Sequence, residues 1–455
     1  MNRRDMLKRT AAGAGIAGLP FLFARNLGSQ QPANPGDGKK LPSLKITDVR
    51  AILTAPAGIR LVVVKVETSE PGLYGLGCAT FTQRARVVET AVDRFLKPFL
   101  VGKNPLEIED LWQSMFVSSY WRNGPVLYNA ISGVDMACWD ILGKRASMPV
   151  WQLLGGKARR AVDTYRHASG ADFKAVEANV RKYMDQGYRH VRAQVNLPGL
   201  ATYGGGAGAV GAPKRDDPAV PENNRARVWE PRAYVRTVPK LFEHLRKQLG
   251  DEVELLHDCH ERMPPILALQ LAKDLEPFKL FFLEDPLSPE DVGYFKLMRQ
   301  QTSTPLAMGE LFNNPNEFVS LISERLIDFI RIHISQIGGL TPARKVAALC
   351  EFFAVRTAWH GPGDVSPVGH ACNVHLDLAI PNFGIQEARE FSQAEQDAFP
   401  GCPVLKDGYY WATDKPGWGI DIDEKVAANF PLKDDPPFDM SWGNLRRLDG
   451  AIAKP

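Results

Sequence analysis

A chain of 455 residues is too long for one ordinary compact core and fits a barrel of about 250 residues joined to a second domain. With 44% hydrophobic and 24% charged residues its composition is ordinarily globular. A net charge of +3, with no block of basic residues, gives no footing for nucleic acid.

The chain opens with Asn2-Arg3-Arg4-Asp5-Met6-Leu7-Lys8, followed by an apolar stretch over 11–24 rich in Gly and Ala. That stretch falls short of the roughly 20 residues needed to cross a bilayer. Arginines followed by a weakly hydrophobic segment outline a twin-arginine export signal. Residues 1–40 are read as signal and linker, with the Pro- and Gly-rich 30–40 as the tether. The mature protein is expected in the periplasm, without a stable membrane span. Its six cysteines are scattered, and a chain this long buries a core without disulfides, so they are read as packing residues.

Residues 45–80 alternate as paired strands do, in Lys45-Ile46-Thr47-Asp48-Val49-Arg50 and in Arg60-Leu61-Val62-Val63-Val64-Lys65-Val66-Glu67, with 72–77 as a turn. Helical periodicity follows over 87–100, 105–116 and 126–144, which makes 41–160 an α+β domain. From Tyr165 to about Glu387 the pattern is alternating βα units, and 161–395 is read as a barrel. One connection, between Gln194 and Glu230, is far too long for a compact barrel and is expected to serve function. In the Pro-rich segment 396–455, Trp411 and Trp418 are expected to pack back across the first domain.

Within the barrel, three apolar runs each end in a carboxylate. Glu284 follows Asp258 by 26 residues, and Glu310 follows Glu284 by 26. A strand, a helix and two loops take up such a length, so the spacing predicts three successive strand ends at one mouth. Three carboxylates there stay ionised only around a cation, and hard oxygen ligands point to Mg²⁺. His260, two residues beyond Asp258, is expected to face the mouth by strand alternation, with Cys259 turned away. His260 then suits a general acid that does not bind the metal. His167, Arg331, His360 and Glu387 fall on further strand ends around the same mouth.

Seven motifs carry a resemblance: Tyr120-Trp121-Arg122-Asn123-Gly124-Pro125, Val191-Arg192-Ala193-Gln194, Asp258-Cys259-His260, Glu284-Asp285-Pro286, Gly309-Glu310, His360-Gly361-Pro362 and Gln386-Glu387. By these the chain resembles the enolase superfamily, and within it the mannonate dehydratase family, which includes proteins of starvation-sensing type. The resemblance implies a modified TIM barrel, (β/α)7β, under an N-terminal α+β capping domain completed by the C-terminal segment. It implies one Mg²⁺ per subunit on Asp258, Glu284 and Glu310, a homo-oligomer, and removal of the proton next to a carboxylate. The superfamily's Lys-x-Lys base is replaced here by Arg192-Ala193-Gln194, and Arg331 stands where an Asp would complete a His–Asp base. The mannonate dehydratase likeness assigns the base to Tyr203, activated by Arg192, on a loop that closes over substrate. It places His167, Arg331, His360 and Glu387 on the substrate, with Arg331 facing its carboxylate.

Two departures bear on the substrate. Thr82, which the resemblance places on the substrate's far end, stands where mannonate-active members tend to carry Asn, and Gly361-Pro362 accompanies weaker or broader sugar-acid activity. The expected activity is dehydration of an aldonate such as D-mannonate to its 2-keto-3-deoxy acid. The alternatives are dehydration of gluconate or another sugar acid, epimerisation, and sugar-acid binding with little turnover.

Overall fold

The computed structural model describes residues 43–118, 120–197 and 231–433. The expected signal and linker, and the base Tyr203, lie outside them.

The cap begins with an antiparallel sheet of strands β1 (Ile46–Thr54), β2 (Leu61–Thr68) and β3 (Tyr74–Cys78), with β2 central. Alternation along β2 sends Val62, Val64 and Val66 into the cap's own core with Ile131, Val134 and Ile141 of the helix Pro125–Arg145. Leu61 and Val63, with Leu76 and Cys78 of β3, join the barrel core on the other face. Burial on both faces accounts for the unbroken apolar run of β2. The expected turn over 72–77 is only partly one. Gly72 turns with φ +79°, whereas Gly75 and Gly77 belong to β3. A Cβ on either would lie 1.9 or 2.0 Å from the backbone oxygen of Ala137 or Gly133, so strand and helix backbones meet directly there.

Eight parallel strands form the barrel: β4 (Val162–Gly170), β5 (His190–Val195), β6 (Glu254–Asp258), β7 (Phe282–Glu284), β8 (Leu306–Met308), β9 (Phe329–Ile330), β10 (Arg356–Thr357) and β11 (Gln386–Glu387). Pairing of β11 with β4, and a bridge from Thr357 to Phe383, close the ring. Seven crossover helices join the eight strands, which is the (β/α)7β arrangement expected. In one of them, Pro231–Leu249, Tyr234, Val235, Val238, Leu241, Phe242, Leu245 and Leu249 make the buried stripe of an amphipathic helix. Inside the barrel, Tyr165, Leu256, Phe282, Ala307, Phe329, Ala358 and Ile385 pack into an apolar floor.

The C-terminal segment ties cap to barrel. A hairpin of β12 (Val404–Lys406) and β13 (Tyr409–Trp411) adds antiparallel to β4. Trp418 is buried and donates from Nε1 to the carbonyls of Leu76 and Met136, both at 3.1 Å. Trp411 does not join it, being held by the hairpin against the barrel with 45% of its surface exposed. Glu424 accepts from Arg50 at 2.7 Å and Lys65 at 2.8 Å, on β1 and β2. The five cysteines at 78, 138, 259, 350 and 372 are buried and Cys402 is half-buried, all unpaired. Among the described residues no helix is long and apolar enough to cross a membrane.

Candidate active site

The strands end where the sequence spacing puts them. Asp258 closes β6, Glu284 closes β7, and the two are register partners. Glu310 lies two residues beyond Met308, the last of β8. The cap covers this end: Ile59, between β1 and β2, packs on Gly363, where a Cβ would sit 2.2 Å from Ile59 Cδ1.

The oxygens are grouped differently from the expectation. Carboxylate oxygens of Asp258, Glu284 and Asp285 lie within 4.8 Å of one another. Asp285 joins because its φ of +41° turns the chain just after β7, and its Oδ1 accepts from Gly309 N at 2.9 Å. Glu310 is drawn aside by Arg331 and two imidazoles. Its Oε2 is 2.6 Å from Arg331 Nη1 and 3.0 Å from His360 Nδ1, and its Oε1 is 3.2 Å from His260 Nε2.

His260 reaches the mouth by another route than strand alternation. β6 ends at Asp258, and His260 and Glu261 follow with φ of +52° and +63°. In this turn His260 N donates to Asp258 Oδ1 at 2.6 Å. Arg262 Nη2, 3.2 Å from His260 Nδ1, has only protons to offer, so Nδ1 accepts and the imidazole proton sits on Nε2, toward Glu310. Cys259 is buried in the core, as expected.

Two arginines stand among the carboxylates. Arg192 Nη1 is 2.6 Å from Glu284 Oε1, 3.1 Å from Asp258 Oδ2 and 3.7 Å from Glu387 Oε1, while its Nη2 is 3.1 Å from His167 Nδ1. Arg331 is fully buried and pairs with Glu284 at 3.0 Å, with Glu310, and with Glu387. Expected to meet a substrate carboxylate, Arg331 directs its donors instead at protein carboxylates, and the Tyr165 hydroxyl below accepts from its Nε at 3.1 Å. Burial drives His167 down to about 4, with Arg192 adding to the effect, so it is neutral beside Glu387 Oε1 at 2.7 Å. Burial would lower His360 too, but Asp364 and Glu310 hold it well above its ordinary value. Asp364 Oδ1 lies 3.0 Å from His360 Nε2, and His333 stacks on the ring at 5.0 Å. Thr82 opens the short turn Thr82–Arg84 in the cap and donates to Gln83 at 2.9 Å; among its described hydrogen bonds none reaches the mouth.

The barrel and its cap both have known counterparts. Residues 175–426 match the enolase C-terminal domain-like family, and residues 45–155 match the mandelate racemase/muconate lactonizing enzyme N-terminal domain. The chain belongs to the enolase superfamily. It is 53% identical to a D-galactonate dehydratase family member of Salmonella enteritidis, over 91% of this chain and all of that protein. A family member of the same name from Catenulispora acidiphila is 46% identical, over 91% of this chain and 94% of that one. A crystal structure of an enolase from Pantoea ananatis with bound D-gluconate and Mg superposes with a TM-score of 0.83 at 52% identity, covering 90% of this chain and all of that one. The Salmonella and Catenulispora relatives are named as D-galactonate dehydratase family members, where the sequence motifs pointed to mannonate dehydratase. The superfamily stands, and the finer assignment does not follow from them.

The residues of this superfamily member fit a divalent cation. Asp258, Glu284, Asp285, Glu310 and Glu387 are all buried, and among the described residues Arg192 and Arg331 stand between them as fixed cations. Among the described residues, neither Oδ2 of Asp258, which has Arg192 Nη1 at 3.1 Å as an ion-pair partner, nor Oδ2 of Asp285 accepts a hydrogen bond, though both are buried. Burial pushes Glu284 up to about 8, opposed by the two arginines and reinforced by Asp258 and Glu387. Burial likewise raises Asp285 well above its usual range, with Glu310 adding to it. Excess negative charge on hard oxygens is what Mg²⁺ satisfies.

Sequence reasoning missed Asp285, Asp364 and Tyr165. Asp285 follows a strand residue that faces inward, so alternation assigns it outward, and no sequence signal foretells its positive φ. Asp364 is four residues past His360 on the loop His360-Gly361-Pro362-Gly363-Asp364, a spacing that is visible but common. Tyr165 reads as an apolar core residue, although its hydroxyl donates to Glu284 Oε2 at 3.2 Å.

Proposed function

We propose that this chain is a Mg²⁺-dependent dehydratase of a six-carbon sugar acid, with Asp258, Glu284 and either Asp285 or Glu310 holding the ion. The observation that carries this is His260, whose Nδ1 accepts from Arg262 and whose Nε2 carries a proton, set directly beside the carboxylate group by the hydrogen bond its backbone N–H gives to Asp258. When bound, Mg²⁺ would neutralise the substrate carboxylate and so acidify the neighbouring C–H.

The chain's own residues supply the proton transfers. Tyr203, which the family resemblance pairs with Arg192, takes the C2 proton. The electron pair left at C2 forms a double bond to C3 as the C3–O bond breaks, and His260 gives its Nε2 proton to the departing hydroxyl, which leaves as water. The enol product tautomerises to the 2-keto-3-deoxy acid. His167, His360 and Glu387 orient the substrate's hydroxyls, while Arg331 holds Glu284, Glu310 and Glu387 in place.

D-Gluconate bound in the Pantoea ananatis relative supports a gluconate-type aldonate, and the relatives' names support D-galactonate. D-Mannonate rests on the sequence resemblance, against which Thr82 and Pro362 stand. A panel of D-gluconate, D-galactonate and D-mannonate, assayed for 2-keto-3-deoxy acids with and without chelator, tests all three. Chelator-sensitive turnover of one supports the proposal. Binding without turnover of any would replace it with a sugar-acid binding protein.

Export by the twin-arginine route, with residues 1–40 as signal and linker, is proposed as well. The Salmonella relative in full aligns with 91% of this chain, so a remainder has no counterpart there. Recovery of the protein from periplasm, dependent on Arg3 and Arg4, is the expected result. Equal recovery of the Arg3→Lys, Arg4→Lys variant would dismiss it.

A further inference from the structure

The seam between β5 and β6 opens at the site. Backbone pairing of these strands runs through His190–Glu254 and Val191–Leu255 and ends at Arg192–Leu256. On the far side of each strand pairing continues, to Val195 against β4 and to Asp258 against β7. The two residues of β6 beyond the last pair are His257 and Asp258, so one cation ligand sits where its strand has lost one neighbour.

Side chains cross that gap. His257 faces outward, toward the helix Pro231–Leu249, and its ring meets Phe242 edge-on at 5.4 Å. Its Nδ1 lies 2.9 Å from the carbonyl oxygen of Ala193 on β5, and its Nε2 lies 2.6 Å from the hydroxyl of Tyr234. A carbonyl can only accept, so Nδ1 carries the proton and Nε2 accepts from Tyr234. On the inner side, Gln194 Nε2 donates to the carbonyl of Asp258 at 3.2 Å. The Tyr234 oxygen is also 3.1 Å from that carbonyl. His257, Tyr234 and Gln194 are all buried or nearly so, which leaves no water to replace a missing partner.

We infer that Tyr234 and His257 are positioning residues that splice β5 to β6 across this gap and fix Asp258 at the spacing from Arg192 that cation binding needs. The inference rests on Asp258 being a Mg²⁺ ligand. Tyr234 stands four residues into the helix Pro231–Leu249, so the splice also fastens that helix to both strands. Partners standing behind a ligand commonly set metal affinity.

The test is calorimetric titration of Mg²⁺ into chelator-stripped protein, alongside thermal melting and steady-state kinetics. Tyr234→Phe keeps the ring and removes the one proton that Nε2 accepts. Its Mg²⁺ Kd is expected to rise about tenfold, with kcat falling in parallel and the metal-free melting temperature little changed. His257→Leu breaks both bonds and is expected to bind more weakly still. His257→Gln, whose amide can donate to Ala193 and accept from Tyr234, is expected to recover binding to within about threefold, a rescue that mere packing would not give. Asp258→Asn is the control. If it binds Mg²⁺ as the parent does, the assignment of the ion to Asp258 has failed. If it loses Mg²⁺ while Tyr234→Phe and His257→Leu keep the parent's Kd, the splice has no positioning role and the inference is overturned.

Discussion

The two halves of the barrel mouth use the same residue types and treat them oppositely. On the side of β6 and β7, Glu284 is pushed up to about 8 and Asp285 well above its usual range, burial being the largest cause of each. On the side of β8 and β11, burial acts on Glu310 and Glu387 in the same sense. Yet both are held well below, Glu310 by His360 and Arg331 and Glu387 by Arg331 and His167. Burial therefore does not decide which carboxylate holds a proton; the balance of fixed charge around it does. One side is neutralised by the protein, and the other is left for a cation.

Breaking the cation side is expected to have the largest effect. Asp258→Asn or Glu284→Gln should abolish Mg²⁺-dependent turnover by about a thousandfold or more, read as kcat with saturating Mg²⁺. His260→Gln should lower dehydration by about a hundredfold or more while Mg²⁺ still binds. Exchange of the C2 proton with solvent deuterium should survive in that variant, because the base is intact. Loss of exchange together with dehydration would remove His260 from its role as acid.

On the neutralised side the effect is on stability. Arg331→Met leaves Glu310 and Glu387 buried without their shared partner, and Glu284 across the mouth with Arg192 alone of the two arginines, at a cost of about 3–5 kcal/mol in denaturant unfolding. An equal loss from Arg192→Met, measured with Mg²⁺ present, would erase the distinction between the halves.

The smallest effect sharpens the comparison from outside the barrel. Glu424 is lowered to about 2, first by its hydrogen bond from Arg50 and then by Lys65, although about a third of its side chain is exposed. Its folded pKa lies below the unfolded value of about 4.3, so the stability it contributes is present above pH 4.3 and lost as pH falls toward 2. Melting curves of the parent and of Glu424→Gln should differ at neutral pH and converge toward pH 2. The gap should narrow in high salt.

The sequence by itself determined the architecture and the mouth. Equal spacing of Asp258, Glu284 and Glu310 follows from one strand–helix unit per interval, and strand ends share one rim in a parallel barrel. Alternation in β2 and the stripe of Pro231–Leu249 are local and periodic, and such features survive into the fold unchanged. Tertiary structure decided the rest. Asp285 entered the oxygen group through a positive φ, with its side chain held by Gly309 N, and Glu310 left it for Arg331, one strand away. Gly75 and Gly77 turned out to be strand residues because a helix backbone lies against them. Each of these depends on a partner far along the chain, and spacing alone carries no record of which long-range partner wins.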